Sequence, residues 1–403
     1  MKRYTFLFIA IVLVSLQGCS SNDDAVSTSG SEQNSAAGTL DSSSDISVPG
    51  NLPAANRARQ FDYAMTGVTG ETVIARAQLF EPGTQTPQDG HPLVVWAHGT
   101  TGISNACTPS ASFADFGNDL VINALLTSGY AVLAPDYEGF GTDRIHPYYQ
   151  RASHANAILD SVPAAHQIAG INISDDWAVV GHSQGGHVAL ATARGTALPA
   201  YPLQAVVALA PGTDVKPFSD RAFEAIDQKI AEGDTVNAIE RLIYLNVYGA
   251  YVAHAVAEVD PSFNPKSIFG ETIAELIDLA VTETQCQQYA FAVQEAIQQH
   301  FTNGGTVDNF QGVRRDWYDE PGIASRLATE ELGDESQSMP LLILQGDADR
   351  QVPVAATTAF VDRQRSLGTD VTYEIIAGAR HGDVVRDEFA GALAWLIEKF
   401  PSP

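Results

Sequence analysis

Apolar residues follow two rhythms along this chain. Five short runs are almost continuously apolar and break at glycine, proline or a polar cluster: "HPLVVWAHG" from His91, "YAVLAPDYEG" from Tyr130, "WAVVG" from Trp177, "LQAVVALAPG" from Leu203 and "PLLILQGDAD" from Pro340, and "DVTYEIIAG" from Asp370 reads as the last strand. Runs this short, with little polar alternation, predict strands buried on both faces. An earlier stretch, "ETVIARAQLFEP" from Glu71, alternates and predicts another strand. Between the runs, apolar residues recur at helical spacing. These stretches begin at Phe116, at Ser153 (interrupted by Pro163), at Gly185 and at Arg386. Strands alternating with helices predict an α/β fold, a mostly parallel sheet with helices on both faces. From about Thr213 to Met339 no buried strand is predicted, and long segments such as residues 218–259 and 267–300 read as helix. This region is expected to form a helical cap inserted into the sheet's connections. The folded body is expected from Arg57 to the end of the chain.

The N-terminus has neither rhythm. Lys2 and Arg3 precede an apolar run from Tyr4 to Leu16, shorter than the ~20 residues a membrane span needs. The run ends in Leu16-Gln17-Gly18-Cys19, which resembles a bacterial lipobox, so residues 1–18 are expected to be a lipoprotein signal peptide and Cys19 the lipidated residue. Ordinary secretory cleavage is the alternative. Ser20 after the cysteine favours the outer membrane. Residues 19–56 are rich in Ser, Asp and Gly and predict a disordered tether.

Composition adds two constraints. Lys+Arg number 22 against 48 Asp+Glu, a net charge of -26, which argues against a nucleic-acid partner. There are three cysteines. With Cys19 carrying lipid, Cys107 and Cys286 remain, and an exported chain most simply pairs them. Such a bond would staple the cap to the body at one point. Neither cysteine lies in a C-x-x-C or His-rich setting, so no metal site is expected.

Candidate chemistry centres on "GHSQGG". Ser183 stands between a predicted strand and a predicted helix, with Gly181 and Gly185 leaving room for a sharp turn. That setting presents a serine as a nucleophile at the carboxyl edge of the sheet. A serine hydroxyl needs a base, and His381 lies in a loop just past the last predicted strand. The imidazole needs a carboxylate, and Asp347 and Asp349 follow the penultimate strand. The spacing from Gly346 to Pro353, G-x-x-D-x-x-V-P, selects Asp349, with Asp347 the alternative. Two backbone N–H groups would hold an oxyanion: that of Gln184, after the nucleophile, and that of Thr100 in "WAHGTTG".

Taken in order, "HGTTG", "APDYEGFG", "GHSQGG", "GDADRQVP" and "RHG" resemble the secretory lipase family, typified by fungal lipase A and its bacterial relatives. The resemblance runs from about Gln60 to the C-terminus. It implies the α/β-hydrolase fold with a cap over an acyl pocket, and carboxylester hydrolysis by Ser183, Asp349 and His381 with Thr100 and Gln184 as oxyanion donors. It also sets Tyr137 and Glu138 beside the nucleophile, as site lining or as a structural loop. The expected activity is that of an exported esterase or lipase acting on ester or lipid substrates without cofactor. Its membrane association would be through the N-terminal lipid, and its oligomeric state is left open. Two alternatives are a serine peptidase of the prolyl-oligopeptidase kind and a non-catalytic surface protein. No propeller pattern precedes the hydrolase pattern, and no triad candidate is missing.

Overall fold

In the computed structural model, which describes residues 36–111, 118–195 and 197–402, the buried apolar runs lie side by side as strands. The sheet comprises β1 (Leu40–Ile46), β2 (Ala55–Thr66), β3 (Thr72–Pro82), β4 (His91–Ala97), β5 (Ala131–Pro135), β6 (Ile173–His182), β7 (Leu203–Leu209), β8 (Leu341–Gly346) and β9 (Val371–Ile376). The spatial order is β1-β2-β3-β5-β4-β6-β7-β8-β9. From β5 to β9 neighbouring strands are parallel, whereas β1, β2 and β3 form an antiparallel extension on one side. The helices of eight or more residues are α1 (Asn118–Thr127), α2 (Arg151–His166), α3 (Gln184–Arg194), α4 (Val215–Ala231), α5 (Thr235–Val259), α6 (Gln288–Thr302), α7 (Val354–Ser366) and α8 (Phe389–Lys399).

The central strands have no polar face because both faces are covered. Leu93 and Val95 of β4 pack with Ile158 and Val162 of α2, Val188 of α3 and Phe360 of α7. Val94 and Trp96 turn the other way, toward Val121 and Leu125 of α1 and Leu396 of α8. After β4 the chain adds β5 on one side, and later β6 on the other. The strand order therefore reverses between β4 and β6, which opens a crevice at their carboxyl ends. Ala97 pairs with Gly181 there, so the loops that follow these two residues leave the sheet side by side.

Between β7 and β8 the chain forms α4, α5, α6 and several shorter helical turns. They bury a core of their own, with Leu242, Leu245, Ala253, Val293 and Trp317, joined by Ile103 and Tyr148 from the body. By length and composition α5 could cross a membrane, but 67% of its most apolar window is buried within the protein.

Two sequence expectations are corrected. The tether does not extend to residue 56, because Leu40–Ile46 is an edge strand paired with β2. Most of its side chains are exposed, so the strand is held through its backbone, which a polar sequence does not reveal. Leu52 is fully buried beside Val94 and Trp96 and anchors the connection. Nor does Pro163 interrupt α2, which continues to His166. The proline sits in the last turn and forgoes one rung of the ladder, the bond to the Leu159 carbonyl, without ending the helix. Gln167 Nε2 donates both to the Pro163 carbonyl (3.0 Å) and to that of Gly38 (2.7 Å). The expected signal peptide, Cys19 and the first part of the tether lie outside the described residues.

Candidate active site

Ser183 sits between β6 and α3 at φ 58°, ψ -118°, a conformation rarely adopted by a residue with a side chain. The surroundings over-determine it. Its N–H donates to the Leu209 carbonyl (2.9 Å), and its own carbonyl accepts from His187 N (3.1 Å) and Gly212 N (3.2 Å). A Cβ on Gly181 would strike the Gly185 carbonyl, and one on Gly185 would strike that of Ala97. Both glycines are thus required where α3 folds back over β6 and β4. Tyr137, Tyr149 and Ala210 also adopt positive φ. These strained residues fall in loops at the same carboxyl edge of the sheet, where strain commonly marks a functional site.

His381 follows β9 and is buried with its Nδ1 2.7 Å from Asp349 Oδ2. The same Asp349 oxygen accepts from Gln345 Nε2 (2.9 Å), and Oδ1 accepts from the backbone N–H groups of Gln351 (2.8 Å) and Val352 (2.9 Å). Burial pushes this carboxyl up, but the His381 ring and these hydrogen bonds outweigh it and hold the group below the ordinary aspartate value. Asp349 is thus an anion that fixes the Nδ1–H tautomer and leaves His381 Nε2 free to accept a proton. Asp347 is exposed and turned away, accepting from Gly378 N (2.7 Å). His182 Nε2 donates to the His381 carbonyl (3.1 Å), and the two rings lie 4.7 Å apart, so the residue before Ser183 holds the His381 loop against the turn. No hydrogen bond joins the Ser183 hydroxyl to His381 in this structure. Such contacts are often loose without substrate.

Among the described residues, the backbone N–H groups of Thr100 and Gln184 donate to no other protein group. The elements around them fix their positions. Thr100 Oγ1 lies 2.8 Å from Tyr148 Oη. The Gln184 side chain donates through Nε2 to His146 Nε2 (2.6 Å), whose Nδ1–H is directed at the Glu138 carbonyl (2.8 Å). Tyr137 stacks on His98 (4.0 Å) and donates to the His98 carbonyl (3.0 Å), bracing the start of the Thr100 loop. Burial keeps these imidazoles neutral, lowering His98 to about 4 and His146 to about 3.

Residues 94–394 match the alpha/beta hydrolase family, a span covering most of the chain. The chain belongs to the alpha/beta hydrolase family. Among solved structures it is similar to the rice cell wall degrading esterase LipA from Xanthomonas oryzae, at 22% identity and a TM-score of 0.65, covering 91% of this chain and 98% of that one. It is also similar to Candida antarctica lipase A in its closed state, at 15% identity and a TM-score of 0.70, covering 91% of this chain and 84% of that one. At these identities the likeness is one of fold. A curated relative, the non-reducing polyketide synthase Preu3 of Preussia isomera, is 33% identical over 102 residues, which are 24% of this chain and only 4% of that protein.

In this hydrolase a largely apolar cavity opens at Ser183. Val215, Phe218 and Ser219 of α4, Leu245, Tyr248 and Val252 of α5, and Trp317 supply most of its wall, with Tyr148, Tyr149 and Val352 from the body. Among the described residues, no lining side chain carries a formal charge. The sequence reading did not find these residues. The signal available was the aromatic spacing of Tyr244, Tyr248 and Tyr251 in α5, which does not say what the helix covers. Tyr137 and Glu138 do not line the cavity. Tyr137 acts through His98, and the Glu138 carboxylate is buried under the loop, accepting from Val68 N (2.9 Å) and Ser153 Oγ and pairing with Arg144.

Cys107 and Cys286 are joined in a disulfide with their Cα atoms 4.8 Å apart. Ser104 Oγ donates to Glu283 Oε1 (3.1 Å) beside it, a second link between the Thr100 loop's continuation and the inserted region. The disulfide is not the single tie expected from the sequence. Asp214 pairs with Arg363, Arg151 N donates to Glu330 Oε2 (2.6 Å), and α5 holds the Asp349 loop.

Asp136, next to the Tyr137 brace, is nearly fully buried and accepts from Ser110 N (2.8 Å) and Ser110 Oγ. Burial outweighs these bonds and raises its carboxyl to about 7. The folded state therefore favours the protonated acid. This contribution is complete below the unfolded value of about 4 and is lost as pH rises through about 7. Asp136→Asn, which stays neutral, is expected to gain on wild type by on the order of 2–4 kcal/mol between about pH 5 and pH 8. Urea unfolding of both proteins at the two pH values measures this. An equal difference at both values would contradict it.

Proposed function

We propose that this protein is an exported serine carboxylester hydrolase that works through an acyl-enzyme on Ser183. The observation that carries the reading is the buried Asp349–His381 pair, held against a strained serine turn that opens on an uncharged cavity. Ser183 Oγ attacks the ester carbonyl while His381 Nε2 takes its proton. The N–H groups of Thr100 and Gln184 receive the developing oxyanion, and His381 returns the proton to the leaving alcohol. Water then repeats the sequence on the acyl-enzyme. A cavity wall without charge suits a neutral acyl group, and the named esterase and lipase of the same fold favour esters over peptides.

The test is a chain-length series of p-nitrophenyl esters with purified protein. Turnover that reaches a maximum within the series and is abolished in Ser183→Ala supports the reading. Hydrolysis of peptide but not of ester substrates would favour the peptidase instead.

Export rests on the N-terminal run and on the disulfide, which suits an oxidising compartment. With Cys19 acylated, the protein expressed in a bacterium should fractionate with membranes, and Cys19→Ala should move it to the soluble fraction. An unacylated mature N-terminus by mass spectrometry would contradict the anchor.

A further inference from the structure

The loop that carries Asp349 is gripped by a helix from the inserted region. Arg241 of α5 directs Nη2 at the Asp349 carbonyl (3.2 Å) and Nη1 at that of Arg350 (3.4 Å). Glu240 pairs with the Arg350 guanidinium. Two turns further along, Tyr248 donates to Gln351 Oε1 (2.6 Å). Three consecutive loop residues, 349, 350 and 351, thus each contact α5. Gln351 and Val352 are also the residues whose N–H groups hold Asp349 Oδ1. Tyr248 and Val352 both face the cavity. One connected path therefore runs from the cavity wall, through Tyr248 and Gln351, to the carboxylate that meets His381.

We propose that Arg241 and Tyr248 are positioning residues for Asp349, so that the inserted helix completes the acid–base pair as well as covering the cavity. This rests on the reading of Asp349 and His381 as the acid and base of Ser183. Side chains on loops are held less sharply than those on strands or helices, and the carboxylate after β8 sits on a loop. Among the described residues the carbonyls of 349 and 350 accept from no other group, and a shift of this segment would carry Oδ2 away from His381 Nδ1. A forked guanidinium against two successive carbonyls prevents this. The Arg241 charge also lies near enough to Asp349 to interact with it electrostatically, which favours the ionised carboxylate. On this account the inserted region cannot swing away as one rigid lid without loosening the acid. Any opening for substrate must occur elsewhere along its edge.

Two variants test the proposal in the full-length chain. Tyr248→Phe keeps the ring in the cavity wall and removes only the bond to Gln351. Arg241→Gln removes the fork and the charge. With p-nitrophenyl butyrate, Tyr248→Phe should lower kcat about fivefold and Arg241→Gln about 10- to 100-fold, with KM changed less than about twofold. In an Asp349→Asn background each further loss should shrink to less than about twofold, because both act through the same carboxylate. Proton NMR adds a readout that needs no substrate. The low-field resonance of the proton between His381 Nδ1 and Asp349 Oδ2 should shift or broaden in both variants. A raised KM with unchanged kcat, equal losses in the Asp349→Asn background, or an unmoved resonance would overturn the proposal. If Arg241→Gln does not fold, Tyr248→Phe decides by the same criteria. If wild type turns over no ester, the functional reading fails, while the resonance still tests the positioning.

Discussion

Alanine at Ser183 or at His381 is expected to lower kcat by about a millionfold, with KM and the folded structure little changed. In the proposed mechanism Ser183, His381 and Asp349 act as a unit, so losing either the nucleophile or its base forfeits nearly all of their joint contribution, and only oxyanion and binding contributions remain. Asp349→Ala should cost less, about 10⁴-fold, because it releases the tautomer and orientation of His381 and leaves the base present. The single strong contact of that carboxylate with a ring is the 2.7 Å bond to His381 Nδ1. Asp347→Ala is the control. Its carboxylate is exposed and caps the turn at Gly378, so the change should leave turnover within a few-fold of wild type. Steady-state kinetics on the four variants, with circular dichroism to confirm folding, gives the ranking. A damaging Asp347→Ala beside a mild Asp349→Ala would reverse the assignment of the acid.

Removing the disulfide should produce the largest change in stability. Cys107 and Cys286 are 179 residues apart, and cross-linking a loop of that length restricts the unfolded chain by roughly 5 kcal/mol as an upper bound. The bond also has a local consequence. It ties the turn at Asn105–Cys107, a few residues beyond Thr100, to the segment that leads into α6. The Cys286 sulfur sits 3.1 Å from the Thr101 carbonyl. Cys107→Ser with Cys286→Ser should therefore lower the denaturant midpoint and also lower turnover at temperatures where the sheet is still folded. Urea unfolding of the oxidised wild type and the double variant, alongside activity at increasing urea, separates the two effects. An unchanged midpoint would mean that packing of the inserted core alone holds this region.

The central sheet was legible because buried parallel strands need continuous apolar runs, and β4, β6, β7 and β8 have them. The serine turn was legible because its glycines answer a steric demand that few other sequences meet. Other features were hidden for physical reasons. Leu40–Ile46 pairs through its backbone and leaves polar side chains in solvent, so it resembles a tether. α7 buries Thr357 and Gln364 among its inward positions, which blurs its helical pattern. The family resemblance set Tyr137 and Glu138 near Ser183 but could not tell a cavity wall from a brace beneath it. The true wall is built from residues spread from Tyr148 to Val352, and only the packing of α4 and α5 over the sheet brings them together.

The most direct test of the account is the site of covalent capture. Purified protein treated with a fluorophosphonate and digested should yield one modified peptide, the one that contains Ser183, and ester turnover should fall in proportion to that modification. Asp349→Ala and His381→Ala should react far more slowly under the same conditions. Labelling of a different serine, or full ester turnover from protein completely modified at Ser183, would contradict the central claim.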